Sequence, residues 1–332
     1  MQFKTSAPSN IALVKYWGKY DNQLPSNPSI SFTLNVCKTE MDIQLKPIES
    51  SNDLINVFFE GKLQPSFATK IENLFRKISI DYPVVNNYKW EIHSQNTFPH
   101  SSGIASSASS MCALAKAIVF FQNNHQDAQE ISKIARIGSG SACRSIYDYL
   151  AWWGKSHFVP GSHQEFAMDC SESIDSMFHE YCDTILIASS DTKSVSSSIG
   201  HDLMNRHFYK EKRYEQANTN AIEILGAMRS GDLDKFGEIV EAEALTLHAL
   251  MMMSNPSFIL LKPNTLQMIE RIRAFRQETD LPVYFTLDAG PNIHLLYPKS
   301  IENKVMPWLN DQLKPLCENE FLIQDYIKYE AK

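Results

Sequence analysis

The sequence lacks an excess of positive charge. Its 31 lysines and arginines stand against 38 aspartates and glutamates, which gives a net charge of −7 and a pI near 5.8. Without a broad basic surface, neither nucleic acid nor an anionic membrane is an expected partner. An anionic small molecule would have to be held by local cations and backbone N–H groups.

Long apolar runs are also missing. No segment approaches the roughly 20 apolar residues that a membrane-spanning helix needs. The first ten residues have no apolar core of the kind found in signal peptides. We therefore expect no membrane association.

Paired cysteine motifs and histidine clusters are absent as well. The six cysteines form no CxxC pair, and the ten histidines show no metal-ligand spacing. We predict reduced thiols, a cytoplasmic protein and no metal site built from side chains alone. The cysteines are Cys37, Cys112, Cys143, Cys170, Cys182 and Cys317.

The composition itself is typical of a globular protein. The 332 residues are 43% hydrophobic and 21% charged, and the length favours roughly two domains. The first hundred residues are rich in alternating strand patterns, and long helical patterns dominate the second half. The stretch from Gly154 to Asp175 has few periodic apolar residues, so we place the domains at 1–178 and 179–332.

The segment from Pro99 to Ser110 is the first candidate site. It holds one glycine and six serines and leads into an apolar helix pattern that begins near Met111. Backbone N–H groups at a helix start lack intrahelical partners and favour a phosphate. Residue types alone leave an equal alternative, in which the serines only cap the helix.

A second candidate follows the predicted strand Ile11–Val14. Lys15 and Lys19 flank Tyr16, Trp17 and Gly18 directly after this buried run, which favours an anion site. The alternative is that both lysines are ordinary surface charges.

The segment from Gly138 to Ser145 repeats the glycine and serine pattern and adds Arg144. We expect a helix over 146–150, which would put this arginine in its first turn. A cation there opposes the helix dipole unless it serves a nearby anion. A structural ion pair with Asp148 is the alternative.

Asp288 ends an apolar strand pattern and begins a Gly-Pro turn. On residue types alone, an aspartate that hydrogen-bonds its own turn is the more common arrangement. A carboxylate at the mouth of a sheet is also a suitable position for a catalytic base. The run Ser194–His201 is a third serine-rich turn.

Together these motifs resemble the diphosphomevalonate decarboxylase family of the GHMP kinase superfamily, in order and over nearly the whole chain. The resemblance implies a two-domain α+β fold, with a ribosomal-protein-S5-like N-terminal domain, a ferredoxin-like C-terminal domain and an active cleft between them. It also implies ATP with Mg²⁺, a homodimer, and ATP-dependent decarboxylation of diphosphomevalonate to isopentenyl diphosphate in the mevalonate pathway.

The resemblance carries roles to individual positions. Asp288 matches the catalytic aspartate, Lys15 the lysine that accompanies it, and Arg144 the arginine that holds the substrate carboxylate. The positions that match the ATP phosphate loop are Gly103, Ala105, Ser106 and Ser107. The remaining substrate-binding positions are Tyr16, Trp17, Gly18, Lys19, Ser139, Gly140, Ser141, Ala142, Cys143, Ser197 and Ser198.

One segment departs from the family pattern, and other functions remain open. His100-Ser101-Ser102 stands where the family usually has Thr-Ala-Ala, which bears on ATP affinity. A phosphomevalonate decarboxylase, a kinase of the mevalonate type and a non-catalytic ligand sensor with the same fold are the alternatives. The joint presence of Lys15, Arg144 and Asp288 favours a decarboxylase over a kinase or a sensor, and it leaves the choice between the monophosphate and the diphosphate open.

Overall fold

The computed structural model describes residues 1–48, 54–99, 104, 106–191, 195 and 197–330. Within this part of the chain, the strands form two sheets, and helices pack against both. The strands of the first sheet are β1 (Gln2–Val14), β2 (Ser29–Lys46), β3 (Ile55–Phe59), β4 (Lys62–Leu63), β5 (Lys89–Asn96), β6 (Leu150–Trp153) and β7 (Ala167–Asp169). The strands of the second are β8 (Glu180–Leu186), β9 (Tyr284–Thr286), β10 (Ile293–Pro298) and β11 (Leu322–Lys328).

The helices lie mostly between and after these strands. They are α1 (Pro65–Ile78), α2 (Val84–Asn87), α3 (Ser106–Asn123), α4 (Ala128–Gly138), α5 (Ser197–Leu203), α6 (Lys210–Ser230), α7 (Leu233–Met252), α8 (Pro263–Thr279) and α9 (Glu302–Trp308). None of the helices in the described residues is long and apolar enough to cross a membrane.

The first sheet is organised around β2. The strand order is β4-β3-β5-β2-β6-β7, and β1 also pairs with β2. All pairs are antiparallel except β3 with β5. Residues 29–34 of β2 are buried without interruption because both faces of the sheet are covered there. Farther along, buried residues alternate with more exposed ones, as in a sheet with one covered face.

The second sheet has the order β11-β8-β10-β9 and is antiparallel throughout. Its core is continuous with that of the first sheet, since one hydrophobic cluster includes Phe32 of β2, Tyr181 of β8 and Phe236 of α7. The ring centroids of Phe32 and Tyr181 are 6.0 Å apart. The two sheets therefore share buried apolar contacts.

Several predicted elements are longer in the structure. The strand predicted from Ile11 is the end of β1, which begins at Gln2, where exposed and half-buried residues alternate. The helix predicted near Met111 begins at Ser106, inside the serine run. The spacing of apolar residues predicts the buried part of a strand or helix. It does not predict the polar residues by which the element extends beyond that part.

The helix predicted over 146–150 is wrong. Gly140–Arg144 forms a short 3₁₀ helix instead, and β6 begins at Leu150. All four residues of β6 are buried, and aromatic residues in such a setting favour a strand. Arg144 closes the 3₁₀ turn, so the argument from a helix dipole does not apply to it.

Candidate functional site

A cavity of about 810 Å³ brings the predicted motifs together. It is lined by the end of β1, the 3₁₀ turn, the faces of α1 and α5, the start of α3, and the segment after β9. The predicted site residues that line it are Lys15, Tyr16, Trp17, Lys19, Ser106, Ser107, Ser139, Gly140, Ser141, Arg144, Ser198 and Asp288.

The other predicted residues lie elsewhere or are not described. Ala142 and Cys143 are fully buried in the hydrophobic core, so only their backbone could reach a ligand. Gly18 is absent from the cavity lining. The predictions on Gly103, Ala105 and the 100–102 segment lie outside the described residues, as does the side chain of Ser197.

Lys15 and Asp288 form an ion pair at the floor of the cavity. Lys15 follows the last residue of β1, and its Nζ donates to Asp288 Oδ1 at 3.0 Å and to the Ala12 carbonyl at 2.6 Å. The Lys15 side chain is 2% exposed, and that of Asp288 is 28% exposed. Burial lowers the pKa of Lys15 from its ordinary value, and the Asp288 carboxylate partly opposes that shift.

The backbone of Asp288 is held in place by two contacts at its carbonyl. Its carbonyl accepts from Gly290 N at 2.7 Å and lies 3.2 Å from His248 Nε2. A carboxylate that faces a cavity beside a buried ammonium group can accept a proton from a bound hydroxyl.

A buried network from α6 and α7 fixes the backbone of Lys15. Glu243 of α7 accepts from Lys15 N at 2.9 Å and from both terminal nitrogens of Arg213 at 2.6 and 2.7 Å. Arg213 in turn donates to the Lys15 carbonyl at 3.0 Å. The Arg213 and Glu243 side chains are 1% and 0% exposed. Both peptide groups of Lys15 are thus tied to the second half of the chain.

Arg144 is buried among neutral acceptors. Its Nε donates to Ser31 Oγ at 3.1 Å, and its two terminal nitrogens donate to Ser29 Oγ at 3.0 Å and Asn10 Oδ1 at 3.1 Å. No ion pair joins it to Asp148 in the described residues. Contacts with the described residues use three of the five guanidinium N–H groups, so each terminal nitrogen keeps one donor with respect to them. No carboxylate of the described residues contacts this guanidinium, and a buried arginine with an unused donor on each terminal nitrogen fits a carboxylate ligand.

The two serine-rich segments meet at the start of α3. Ser139 Oγ donates to Ser107 Oγ at 3.4 Å, and both residues line the cavity with Ser106. Lys70 and Lys77, two helical turns apart on α1, line the same region. Helix N–H groups, hydroxyls and two ammonium groups together suit a polyphosphate.

A smaller apolar pocket of about 90 Å³ adjoins this phosphate-binding region. It shares Lys70, Ser106, Ser107 and Met111 with the cavity. Its other walls come from β2, β3, β5, α1 and α3 and are mostly apolar: Met41, Val57, Phe59, Phe67, Ile71, Ile92 and Leu114. The remaining polar residues of its lining are Ser94, Asn96 and Ser110. A flat heteroaromatic base beside a polyphosphate would suit this pair of pockets.

The described residues contain no group of three or more His, Cys, Asp or Glu side chains that could hold a metal ion. A magnesium ion is commonly bound through one or two protein oxygens together with substrate phosphates. Asp288 and the hydroxyls of Ser106 and Ser107 are oxygen donors of that kind on the cavity wall. These residues fit a magnesium ion that arrives with a nucleotide.

Sequence reasoning missed the residues that hold the predicted ones in place. Asn10, Ser29 and Ser31 lie on adjacent strands and converge on Arg144 through the pairing of β1 with β2. Glu243 is 228 residues from Lys15 along the chain. Of these residues, only Asn10 could have been suspected from the sequence, because it stands beside the motif that contains Lys15.

Comparison with known proteins identifies relatives along the chain. A family described as "Diphosphomevalonate decarboxylase-like N-terminal domain" matches residues 7–164, and one described as "Mevalonate 5-diphosphate decarboxylase C-terminal domain" matches residues 184–331. A diphosphomevalonate decarboxylase of Saccharomyces cerevisiae is 32% identical over 326 residues, which cover 92% of this chain and 80% of the relative.

Solved structures of the same family share the fold. A complex named MDDEF with MVAPP, AMPPCP and magnesium has a TM-score of 0.87 and 29% identity, over 99% of this chain and 97% of the other. A mevalonate diphosphate decarboxylase from Enterococcus faecalis, described for its ATP binding mechanism, has a TM-score of 0.85 and 28% identity over the same shares. The predicted two-domain α+β fold is confirmed by these matches.

Proposed function

The chain belongs to the diphosphomevalonate decarboxylase family, and from this premise we propose that it converts diphosphomevalonate to isopentenyl diphosphate with ATP, releasing ADP, phosphate and CO₂. The observation that carries the proposal is the meeting of three features in one cavity. These are the Lys15 and Asp288 pair, the two free donors of Arg144, and the serine-rich start of α3. Each feature suits one part of that reaction.

The donor nucleotide is assigned to the side of the cavity formed by α1 and α3. Ser106, Ser107, Lys70 and Lys77 would contact its phosphates, and the adjoining apolar pocket would receive the base. Gly103 and Ala105 remain predictions from the sequence. Magnesium, when bound, neutralises charge on the phosphates and lowers the barrier to their transfer.

Arg144 is assigned to the carboxylate of the acceptor. Its two unused donors lie on the two terminal nitrogens, the pair that a carboxylate can engage with both oxygens. Ser29, Ser31 and Asn10 hold the guanidinium by its other donors, so the ligand does not have to order it. Because those partners are neutral, they leave the positive charge for the ligand.

Asp288 is assigned to the hydroxyl at carbon three. Its carboxylate takes the hydroxyl proton as the oxygen attacks the terminal phosphorus, and the bond from that phosphorus to the leaving ADP breaks. The Lys15 ammonium, 3.0 Å from Oδ1, pairs with the carboxylate and orients it before the transfer. The product is a phosphate ester, a better leaving group than a tertiary hydroxyl.

The second stage follows from this ester. The bond between carbon three and the ester oxygen breaks, and phosphate leaves with the electron pair. Electrons of the bond to the carboxylate carbon then form the new double bond, and CO₂ is released. Arg144 holds the carboxylate while the charge develops, and burial of the site strengthens that interaction. The protein positions groups and neutralises charge, and it forms no covalent bond.

The diphosphate of the acceptor is assigned to the wall formed by the segment after β1 and by α5. Lys19, Tyr16 and Ser198 line this wall, and Lys19 lies 3.8 Å from Asp202. Trp17, Gly18, Ser139, Gly140, Ser141, Ala142, Cys143 and Ser197 remain predicted substrate-binding residues. Lys19 supplies the positive charge that a diphosphate requires.

Some finer points also belong to the proposal. We place the division between the domains at 178/179, supported by the sheet change between β7 and β8. The homodimer rests on the family resemblance. A cytoplasmic location is supported by six free, buried cysteines, since reduced thiols are typical of that compartment. Isopentenyl diphosphate places the enzyme in isoprenoid and lipid biosynthesis.

The test is to offer mevalonate, phosphomevalonate and diphosphomevalonate separately with Mg-ATP and to measure ADP, phosphate and CO₂. The proposal predicts one CO₂ for each ADP with diphosphomevalonate and little product from the other two. ADP without CO₂ would indicate a kinase, and CO₂ mainly from phosphomevalonate would indicate the monophosphate branch. Ligand binding with no ADP would indicate a sensor.

A further inference from the structure

One side chain of the cavity wall has no role in the proposed reaction. His201 lies on α5 and lines the cavity, with 7% of its surface exposed. The Tyr16 ring centroid is 4.2 Å and the Trp17 ring centroid 4.7 Å from its own. Buried imidazoles in such surroundings normally have both nitrogens satisfied.

The backbone of Gly18 determines the protonation state of this histidine. Gly18 N donates to His201 Nδ1 at 3.1 Å. An amide N–H can only donate, so Nδ1 must carry a lone pair, and the imidazole must be neutral. Its single proton then lies on Nε2.

The position of the imidazole is built into the chain by two glycines. Gly18 has a φ of +102°, a left-handed conformation that favours glycine and sets the direction of its N–H. A Cβ added to Gly200 would lie 2.4 Å from Cη2 of Trp17, so only glycine allows α5 to pack this closely. His201 is the next residue, and its ring is held against Gly18 by this contact.

Within the described residues, the Nε2–H group of His201 has no hydrogen-bond acceptor. In the part of the chain that the structure describes, the imidazole makes one hydrogen bond, and that bond is at Nδ1. A donor at a cavity wall with its partner nitrogen fixed is suited to a ligand oxygen. Ser198 lies one helical turn before it on α5, and Lys19 is one residue from Gly18; both line the same wall.

We propose that His201 is a substrate-binding residue of this chain, a neutral imidazole whose Nε2–H donates to a phosphate oxygen of the acceptor diphosphate. The proposal rests on the function proposed above. Lys19 brings charge to this wall, whereas His201 brings a directed hydrogen bond and no charge. Ammonium groups alone would attract any anion, whereas the directed hydrogen bond selects an anion whose oxygen lies at the right position.

The surroundings of His201 keep its imidazole neutral, so the proton stays on Nε2. Burial, followed by the charges of Lys19 and Arg144, lowers the pKa of His201 to about 3. The groups near it are those cations and the Tyr16 phenol, and the carboxylate of the next residue, Asp202, lies 3.8 Å from Lys19 Nζ. The neutral tautomer with the proton on Nε2 therefore persists throughout the range in which an enzyme works.

Two substitutions test the Nε2–H donor of His201 separately from its Nδ1 acceptor. In His201→Asn, the amide oxygen can still accept from Gly18 N, but the side chain is too short to replace Nε2–H. In His201→Gln, the terminal amide can place an N–H near the position of Nε2. His125→Asn, the same change at an exposed histidine, is the matched control.

We expect His201→Asn to raise the KM for diphosphomevalonate by about tenfold to a hundredfold, the loss typical of a hydrogen bond to a charged oxygen. The KM for ATP should stay within about twofold, and His201→Gln should recover most of the loss. The affinity for inorganic pyrophosphate, measured directly, should fall strongly in His201→Asn and only slightly in His201→Gln. Equal KM values for wild type and His201→Asn would overturn the proposal, as would a KM for ATP that rises equally.

A measurement without turnover tests the tautomer itself. Long-range ¹⁵N–¹H NMR of the wild type should show His201 with a protonated Nε2 and an unprotonated Nδ1, unchanged from pH 5.5 to 8.5. Pyrophosphate should shift the Nε2–H resonance. A proton on Nδ1, or titration within that range, would contradict the proposal. Absence of CO₂ from a wild type that shows these signals would instead refute the proposed function alone.

Discussion

The buried pair of Arg213 and Glu243 gives the sharpest prediction on stability. Glu243 receives four hydrogen bonds, two from Arg213 and one each from Lys15 N and Asn220 Nδ2. In Glu243→Gln, the negative charge is lost, and one oxygen becomes an NH₂ group that faces donors. The Arg213 guanidinium, 1% exposed, is then left without a counter-ion.

The burial of Arg213 determines how much stability the substitution removes. Removing one partner of a buried ion pair typically destabilises a protein by about 3–5 kcal/mol, because the remaining charge cannot reach water. We therefore expect Glu243→Gln to lower the free energy of unfolding by that amount. Urea titration at pH 7, followed by tryptophan fluorescence, measures the change.

A matched control lies two residues away on the same helix. Glu241 pairs with Arg273 and Arg276, whose side chains are 49% and 27% exposed. Water can solvate these arginines when the carboxylate is removed, so Glu241→Gln should cost only about 1 kcal/mol. If the two variants differ by less than about 1 kcal/mol, the argument from burial is refuted.

The same pair predicts a dependence on pH. Burial alone would raise the pKa of Glu243, but Arg213 and the hydrogen bonds from Lys15 and Asn220 outweigh it, and the pKa lies below its ordinary value. A depressed pKa in the folded state contributes stability above the unfolded value of about 4.3. The difference between wild type and Glu243→Gln should therefore be constant near neutral pH and shrink as the pH falls through the folded-state pKa. A difference that grows in acid would contradict this assignment.

The remaining predictions concern turnover and thiol chemistry. Asp288→Asn should retain substrate binding, measured by calorimetry, while turnover falls at least roughly a hundredfold; near-normal turnover would exclude Asp288 as the base. Arg144→Lys keeps the charge but loses the paired donors, so the KM for the acceptor should rise about tenfold or more with the KM for ATP unchanged; an equal rise in both would contradict the carboxylate assignment. The six cysteines are buried, and burial raises every thiol pKa. Ellman's reagent at pH 8 should therefore react with none of them before the protein unfolds, and fast reaction of any thiol in the folded protein would refute this.

Local patterns predicted most of the elements. The spacing of Ile71, Leu74, Phe75 and Ile78 is typical of a helix, and all four are buried in α1. Such patterns work because each element buries one face. They failed at residues 146–150, where pairing with β2 decides in favour of a turn and a strand.

The sequence predicts those residues of the candidate site that belong to short motifs, and it does not predict their distant partners. The Lys15 motif, the serine-rich loop and Asp288 each have a signal in a few adjacent residues. The partners of Arg144 and the Glu243 network do not, since they depend on which strands pair and on how α6 and α7 pack against β1. His201 has a clear role only once the N–H of Gly18 is seen to point at Nδ1.

The most direct test of the central claim follows one oxygen atom. Diphosphomevalonate labelled with ¹⁸O at the hydroxyl of carbon three should be converted with Mg-ATP, and the phosphate and CO₂ collected. If Asp288 delivers that hydroxyl to phosphorus and the ester then leaves, all of the ¹⁸O appears in inorganic phosphate, with one CO₂ per ADP. Release of the label to water, or formation of CO₂ without labelled phosphate, would contradict the account.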